Sequence, residues 1–346
     1  NGAGKTTTIR MLLGIIDPDE GTRVLLGSDR PLSQSTVRRT VFTRRQTTGT
    51  YDWQSRQALW TGDVKDTRRR PVQLQEGDMS GLLINLAVAA GLCAFAWLMI
   101  QWTGNVPQWS AMAFGYYAVF SWAGTLRQRD PATYRLIWGT PAFICTALGY
   151  GLVSFGAYAL ALWSAPYAET VLKLPKAELA FVLGGSGALS GFLGVILGGR
   201  MSDWLRLRNP SGRILVVMFG ILAPIIPIWV GFTTESAVLF YVMNFLAGMF
   251  AATALGAAAA TTQDLVLPRM RGTATASFFL ATTLVGLGLG PYMVGAISEL
   301  SGSLRIGVLS LIGVAPISLV LLIYAYRTLP KAEATIAERA RAAVGE

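Results

Sequence analysis

The residues at the start of the chain have the types and spacing of a phosphate-binding loop. Such a loop reads G-x-x-x-x-G-K-[ST]: its backbone N–H groups wrap the phosphates, the Lys reaches the outer phosphates and the hydroxyl holds Mg²⁺. Gly4, Lys5 and Thr6 occupy the last three fixed positions, and the first Gly would lie before Asn1. We therefore expect a truncated nucleotide-binding motif, in a chain that is itself truncated at its start.

The elements that would position this loop are only partly present. Residues 7–13 predict a short helix, residues 17–21 a turn and residues 23–27 a strand. Together with the loop, residues 1–36 resemble a fragment of the ATP-binding subunit of ATP-binding-cassette (ABC) transporters. No later strand ends in the magnesium-binding Asp and catalytic Glu that hydrolysis requires. We expect no ATPase activity and no cofactor, and the chain is predicted not to be an enzyme.

From Gly81 onward the chain has the composition of a membrane protein. Hydrophobic residues make up 52% of the whole chain and charged residues 14%, whereas a soluble domain carries about 25% charged residues. The apolar residues form runs of about 20, the length that crosses a ~30 Å hydrocarbon layer as a helix. We predict an all-α polytopic membrane protein. Its eight spans cover residues 82–102, 108–125, 141–164, 179–199, 214–232, 236–258, 273–296 and 306–326.

The net charge of +10 comes mainly from Lys and Arg residues between the spans, so nucleic-acid binding is not expected. Seventeen of these residues fall on one side of the predicted membrane: Lys65, Arg68, Arg69, Arg70, Arg127, Arg129, Arg135, Arg200, Arg206, Arg208, Arg213, Arg269, Arg271, Arg327, Lys331, Arg339 and Arg341. Three fall on the other side: Lys173, Lys176 and Arg305. The asymmetry predicts that both ends of the membrane part are cytoplasmic, in a multi-pass protein of the cell inner membrane.

Residues 37–72 show no helical or strand periodicity and end in the basic stretch of residues 68–71, within a linker or junction that covers residues 37–80. Two interpretations stay open. The segment is either a basic cytoplasmic linker at the membrane surface, or a join produced by a shifted reading frame or by the fusion of two genes.

Residues 198–208 carry a loop motif between the fourth and fifth spans. They resemble the G-x-x-x-D-[RK]-x-G-[RK]-[RK] loop of major facilitator superfamily (MFS) transporters, with Gly199, Asp203 and Arg208 at matching places. Trp204 replaces a basic residue of that motif, and Arg206 replaces its Gly. The resemblance implies a cytoplasmic gating loop formed by Gly199, Asp203, Arg206 and Arg208. A simple Asp–Arg clamp at a helix end is the alternative.

Gly286, Gly290 and Pro291 form the second stretch, which resembles the G-x-x-x-G-P motif of the same family. Small residues four apart let two helices approach closely, and proline frees a carbonyl and allows a bend. We therefore interpret these three residues as a helix-packing motif.

The third stretch, residues 261–274, contains a P-x-x-R-G-T-A-like step into the next helix and is most similar to the Spinster-like branch of the family. The resemblance implies a cytoplasmic latch between Asp264 and Arg269 or Arg271. The alternative is a solvated loop with ordinary positive charges.

The resemblance also divides the membrane part. A family half has six spans, so residues 141–328 are predicted to be the C-terminal six-helix half. Residues 81–140 would be two extra transmembrane helices of the central connection, and residues 329–346 a cytoplasmic tail. The implied function is alternating-access secondary transport. The implied partners are the lipid bilayer, a small organic substrate and a missing N-terminal six-helix half. Two alternatives stay open: an ATP-driven ABC-type fusion, and a non-functional join of two genes.

Residues that could bind an ion or a solute inside the membrane are few. No Asp, Glu, Lys or Arg lies within the last six predicted spans, the chain has no His, and its two cysteines lie in apolar runs, so no metal site is expected. Tyr150, Tyr158, Tyr241 and Asn244 are candidates for lining a cavity. Each also fits helix packing or an interfacial anchor.

Overall fold

The computed structural model of the chain describes residues 79–344, and every regular element in that range is helical. The helices are α1 (Met79–Thr103), α2 (Val106–Arg129), α3 (Pro131–Ile137), α4 (Pro141–Thr170), α5 (Lys176–Arg208), α6 (Gly212–Leu222), α7 (Ile225–Thr233), α8 (Ala237–Asp264), α9 (Arg271–Ala281), α10 (Gly288–Ser301), α11 (Leu304–Leu309), α12 (Ala315–Ala334) and α13 (Ile336–Val344). Short 3₁₀ turns at Pro268–Met270 and Ser310–Val314 precede α9 and α12, and a π-helical segment, Thr282–Leu287, joins α9 to α10. The predictions for residues 1–36, including Gly4, Lys5 and Thr6, and for residues 37–78 lie outside the described residues.

Seven segments of the described range are long and apolar enough to cross a membrane: Leu83–Thr103, Pro141–Thr170, Lys176–Arg208, Gly212–Thr233, Ala237–Asp264, Pro268–Ser301 and Leu304–Ala334. The chain is therefore a multi-pass membrane protein. The last six segments fall in the region predicted as a six-helix half. The sequence predicted eight spans, and the difference is α2, a 24-residue helix whose apolar sequence is interrupted by Gln, Ser and Thr.

Proline and side-chain caps determine where several helices begin. Proline lies in the first turn of α2, α3 and α4, where its missing N–H has no partner to lose. The Asn105 side chain accepts a hydrogen bond from the Gln108 N–H (3.1 Å), and the Asp130 side chain accepts one from the Thr133 N–H (3.0 Å). These caps separate α2, α3 and α4, so residues 130–140 redirect the chain into the bundle.

Helix α4 is the central helix of the bundle. Within its apolar stretch 61% of the residues are buried, against 17% for α5. One core cluster contains Phe143 and Tyr150 of α4 with side chains from α6, α8, α9 and α12. A second cluster contains Phe155 and Tyr167 of α4 with side chains from α7, α8, α10 and α11. The helices that carry the predicted motifs are thus positioned by their contacts with α4.

The α1–α2 hairpin has a small core of its own. Ala96, Trp109 and Met112 form this cluster, and Leu289 and Tyr292 of α10 pack against it. The hairpin is therefore attached to the bundle along α10.

Two predicted loops are helical in the structure. Residues 198–208 form the last turns of α5, and the connection to α6 is only residues 209–211. Residues 261–264 are likewise the end of α8. The helices continue beyond the predicted spans because helical backbone keeps its N–H and C=O groups paired, while charged side chains at the ends reach water.

Candidate functional site

The helix formed by α9 and α10 is broken in its middle. Residues 282–287 are π-helical, and the Gly288 N–H donates to the Thr283 carbonyl, five residues earlier. Pro291 has no N–H, so the Leu287 carbonyl lacks its usual helical partner. Proline and π-helical turns are both established causes of helix kinks. Pro291 indicated in the sequence that the regular helical hydrogen bonding is interrupted here, whereas the π-helical segment has no sequence pattern that predicts it.

Gly286 and Gly290 bring the broken helix against α4. A Cβ atom on Gly286 would lie 2.8 Å from a serine Cβ of α4, and a Cβ on Gly290 would collide with the Phe155 carbonyl oxygen. The Pro291 carbonyl accepts a hydrogen bond from Trp163 Nε1 at 2.8 Å. All three residues of the predicted packing motif therefore lie at one helix–helix contact, of the kind that small residues permit.

A second close contact joins α5 to α8. Cβ atoms on Gly194 and Gly198 would collide with backbone atoms of α8. Gly187 and Gly191 lie further along α5, and a Cβ on either would meet no atom within 4 Å. The four regularly spaced glycines of α5 therefore divide into a packed pair and an open pair.

The four residues predicted to form a cytoplasmic gating loop lie in the last turns of α5 but do not contact one another. A Cβ on Gly199 would meet no atom within 4 Å. Asp203 is exposed and takes part in no ion pair among residues 79–344. The Arg208 guanidinium lies 3.8 Å from the centre of the Trp204 ring, a cation–π contact within α5. The Arg206 side chain contacts the end of α12.

Arg206, which replaces the glycine of the family motif, ties α5 to the end of α12. Its Nη2 donates to Glu333 Oε2 at 2.6 Å, and its Nη1 donates to the Pro210 carbonyl. Beside this ion pair, Asn209 Nδ2 donates to the Tyr326 hydroxyl at 2.7 Å. Because the ion pair is partly exposed, its contribution to stability is at most about 1 kcal/mol.

Asp264 pairs with Arg213 of α6 rather than with Arg269 or Arg271. Within the described range, neither Arg269 nor Arg271 forms an ion pair. The sequence predicts for Arg213 only a positive charge between two spans. Its place beside the end of α8 is evident only in the structure, so no sequence signal identified it as the partner. Asp264 therefore joins two neighbouring helices, α6 and α8.

Helix α13 packs against α3 at the end of the bundle where α4 begins. Arg339 donates to the Thr140 hydroxyl and, at 2.6 Å, to the Ala332 carbonyl. Ala340 is buried in the same core as α4. Burial lowers the pKa of the Arg339 guanidinium, and the nearby positive charge of Arg135 lowers it further. These contacts hold α13, the last helix, against the segment between α3 and α4.

The four residues predicted to line a cavity lie apart. Tyr150 is buried and stacks on Phe278, with ring centres 5.2 Å apart. Tyr158 is 42% exposed. Tyr241 donates to a glutamate in the first turn of α5 at 3.1 Å, and Asn244 donates to a buried serine of α4 at 2.5 Å. These side chains do not form one site.

The cavity found between α4, α6, α7, α8 and α12 is small and apolar. Its volume is about 30 Å³, and Val153, Ile228 and Ala251 are among its lining residues. That is space for about one water molecule, whereas sites for small organic molecules measure roughly 300–1,000 Å³. None of the four predicted cavity residues lines it. In residues 79–344 there is also no group of three or more His, Cys, Asp or Glu side chains able to hold a metal.

Three helices leave much of their surface without a protein partner. The buried share of the apolar stretch is 17% for α5, 28% for α8 and 22% for α9–α10, against 44% for α6–α7. On α5 the exposed residues include Phe181 and Phe192, and the open glycines Gly187 and Gly191 lie on the same helix. The bundle therefore has a packed centre and poorly covered outer helices.

Comparisons with known proteins match about half of the chain. No family model matches. Protein spinster homolog 1 of Xenopus laevis is 29% identical over 172 residues, covering 46% of this chain and 33% of that protein. An MFS-type efflux pump of Mycolicibacterium smegmatis is 26% identical over 159 residues, covering 46% of this chain and 37% of that protein. The chain thus spans about a third of the length of these curated relatives.

A solved structure gives a similar match. It is a bacterial homologue of the human lysosomal transporter Spinster in an inward-facing, unoccupied conformation, with a TM-score of 0.45 and 23% identity over 60% of this chain and 50% of that one. Over about half of its length, the chain is therefore similar to Spinster-like and other MFS transporters.

Proposed function

We propose that residues 141–328 form one six-helix half of an alternating-access secondary transporter for an organic solute. The similarity to Spinster-like and MFS efflux proteins over about 170 residues supports this proposal, as do the six consecutive membrane-spanning segments in this region. In transporters built from two repeats, the solute site lies near the midplane between them. A second six-helix half is therefore the partner of this one.

One observation carries the proposal: within the described residues, α5, α8 and α9–α10 leave most of their surface without a protein partner. An organic solute does not fit the cavity of about 30 Å³ between α4, α6, α7, α8 and α12. We therefore place the solute path along an outer face of the bundle, which the poorly covered helices supply.

The orientation follows from the charges at the helix ends. Arg206, Arg208, Arg213 and Arg271 lie at the ends of spans on one side, whereas Lys176 and Arg305 lie at the opposite ends. Because the side with more Lys and Arg is cytoplasmic, we place α13 in the cytoplasm. We place the protein in the cell inner membrane.

The chemistry of the face favours an organic solute with a large apolar part. The interiors of the six spans carry no charged side chain, and their exposed residues are mainly apolar with scattered hydroxyl groups. Intramembrane charges mark proton or ion relays in coupled transporters. We therefore assign any coupling residue to the second half.

Cysteine accessibility tests this placement of the solute path. Gly187→Cys on α5 is introduced into a chain with Cys93→Ser and Cys145→Ala, in membranes that also contain a second six-helix half. If α5 borders a water-filled path, a membrane-impermeant maleimide should label this thiol, because thiolate forms in water and not in lipid.

The matched control is Ile226→Cys on α7, a side chain that is 72% exposed but lies on a helix we assign to the lipid face. We expect labelling of Gly187→Cys to be at least about tenfold faster than that of Ile226→Cys. Equal rates, or faster labelling of Ile226→Cys, would contradict the proposed face.

A further inference from the structure

One face of α2 follows the broken part of the α9–α10 helix. A Cβ on Gly115 would lie 2.7 Å from a Leu284 methyl carbon, and a Cβ on Gly288 would lie 2.7 Å from the Met112 sulphur. Leu284 and Gly288 lie four residues apart on one helix, and Met112 and Gly115 three apart on the other. The two helices therefore interdigitate at the π-helical segment, and a glycine on each side makes room for a side chain of the other.

A hydrogen bond and an aromatic pair hold this contact on the two sides of Pro291. Gln108 Nε2 donates to the Gly288 carbonyl, three residues before the proline. The Trp109 indole N–H donates to the Thr103 hydroxyl at 2.8 Å and also lies 3.3 Å from the hydroxyl of Tyr292, one residue after the proline; the Trp109 and Tyr292 rings meet edge to face with centres 5.4 Å apart. Main-chain carbonyls near a proline or a π-helical turn are available to such outside donors.

The opposite side of the same break is held by α4. Gly286 and Gly290 pack directly on α4, and the Pro291 carbonyl accepts a hydrogen bond from Trp163 Nε1. The break is therefore held between α2 on one side and α4 on the other. A π-helical turn and a proline are points where a helix bends easily, and the contacts with α2 and α4 hold the helix at this point.

We propose that the α1–α2 hairpin braces the break in the α9–α10 helix, and that Gln108 is the positioning residue which holds it. The core of the hairpin, Ala96, Trp109 and Met112, packs on α10, and the far end of α2 also contacts the α3 region, where the Trp122 and Trp138 rings meet edge to face. The position of the hairpin is thus coupled to the π-helical segment of one poorly covered helix. The consequence for transport rests on the proposed function, whereas the brace itself does not.

Hydrogen–deuterium exchange of the full chain in lipid nanodiscs tests the brace. Gln108→Met keeps the length of the side chain and removes the donor. Amides of residues 282–292 should exchange about three- to tenfold faster in this variant, because an interhelical hydrogen bond in a membrane contributes modestly to local stability. Peptides from α6 and α7 should be unchanged.

The matched control is Gln101→Met, since Gln101 lies in the same hairpin with an exposed side chain. Tyr292→Phe is a second variant that removes the hydroxyl facing Trp109, and it should give a smaller rise at the same residues. The brace is overturned if residues 282–292 exchange in Gln108→Met as they do in Gln101→Met, or if exchange rises equally throughout the chain.

A transport readout separates the brace from the proposed function. With a second six-helix half present, Gln108→Met should change the maximal rate of ethidium movement by about threefold or more and leave the half-saturating concentration unchanged. If the unaltered protein moves no ethidium, the proposed function fails while the exchange result still decides the brace. If ethidium moves and Gln108→Met moves it at the unaltered rate, the positioning role fails.

Discussion

Single glycines determine which helix faces can meet in this bundle. Gly198 and Gly290 stand where another helix brings backbone atoms into the space a Cβ would occupy, whereas Gly187 has open space around it. Backbone atoms cannot turn aside as a flexible side chain can. We therefore expect the two α5 glycines, Gly187 and Gly198, to respond very differently to substitution.

Gly198→Ala should lower the free energy of unfolding by roughly 1–3 kcal/mol, because the added methyl group must push α5 away from α8. Gly187→Ala on the same helix should cause no loss and should gain about 0.5–1 kcal/mol, since alanine restricts the unfolded chain more than glycine. Unfolding in mixed detergent measures both. Equal destabilisation by the two variants would show that the α5–α8 contact is not as described.

The ion pair of Asp264 likewise depends on a single partner residue, Arg213. A double-mutant cycle with Asp264→Asn should give a coupling energy of about 1 kcal/mol with Arg213→Met, because the two side chains are in contact. The same cycle with Arg271→Met serves as control and should be additive within about 0.5 kcal/mol. Coupling to Arg271 and not to Arg213 would restore the latch predicted from the sequence.

The sequence predicted the interiors of the membrane-spanning helices but not the residues at which the helices end. Runs of about 20 apolar residues located the spans, because the hydrocarbon layer requires that length. Residues 198–208 were predicted as a loop from a family motif, yet they continue α5 as helix. The division at Pro224 between α6 and α7 and the π-helical segment before Gly288 were also not predicted.

Prediction of the candidate site from the sequence was limited in a similar way: local spacing could be interpreted, whereas contacts between distant segments could not. Gly286, Gly290 and Pro291 could be identified because their spacing alone specifies close helix packing. The partners of Asp264 and Arg206 could not, because they come from helices about 50 and 127 residues away in the chain, and one sequence contains no information on which helices are neighbours.

Helix α13 provides a prediction for one whole element. Ala340 is 8% exposed and packs with the central core, so Ala340→Glu should release α13 from α3 and expose residues 131–140 to faster hydrogen exchange, by about tenfold or more. Ala342→Glu is the matched control, because Ala342 is exposed on the same helix. Unchanged exchange in Ala340→Glu would show that α13 is not held by this contact.

At the scale of the whole bundle, residues 79–344 have a basic side and a side with few positive charges, and the positive-inside rule predicts the topology from this asymmetry. Arg208→Cys and Arg271→Cys should be labelled by an impermeant maleimide only from the cytoplasmic side, and Lys176→Cys only from the opposite side. The reagent reaches the outer side of the membrane when it is added to intact cells, and the cytoplasmic side when it is added to inside-out vesicles. Labelling of Arg208→Cys and Arg271→Cys in intact cells would reverse the orientation.

We propose that this chain supplies one half of a secondary transporter, and ethidium uptake by inside-out vesicles that contain the chain with a second six-helix half tests this most directly. We expect uptake above that of vesicles without the chain when a proton or sodium gradient is imposed in the absence of ATP. Lys5→Ala should transport as the unaltered protein does. Uptake that requires ATP and is lost in Lys5→Ala, or no uptake under either gradient, would contradict it.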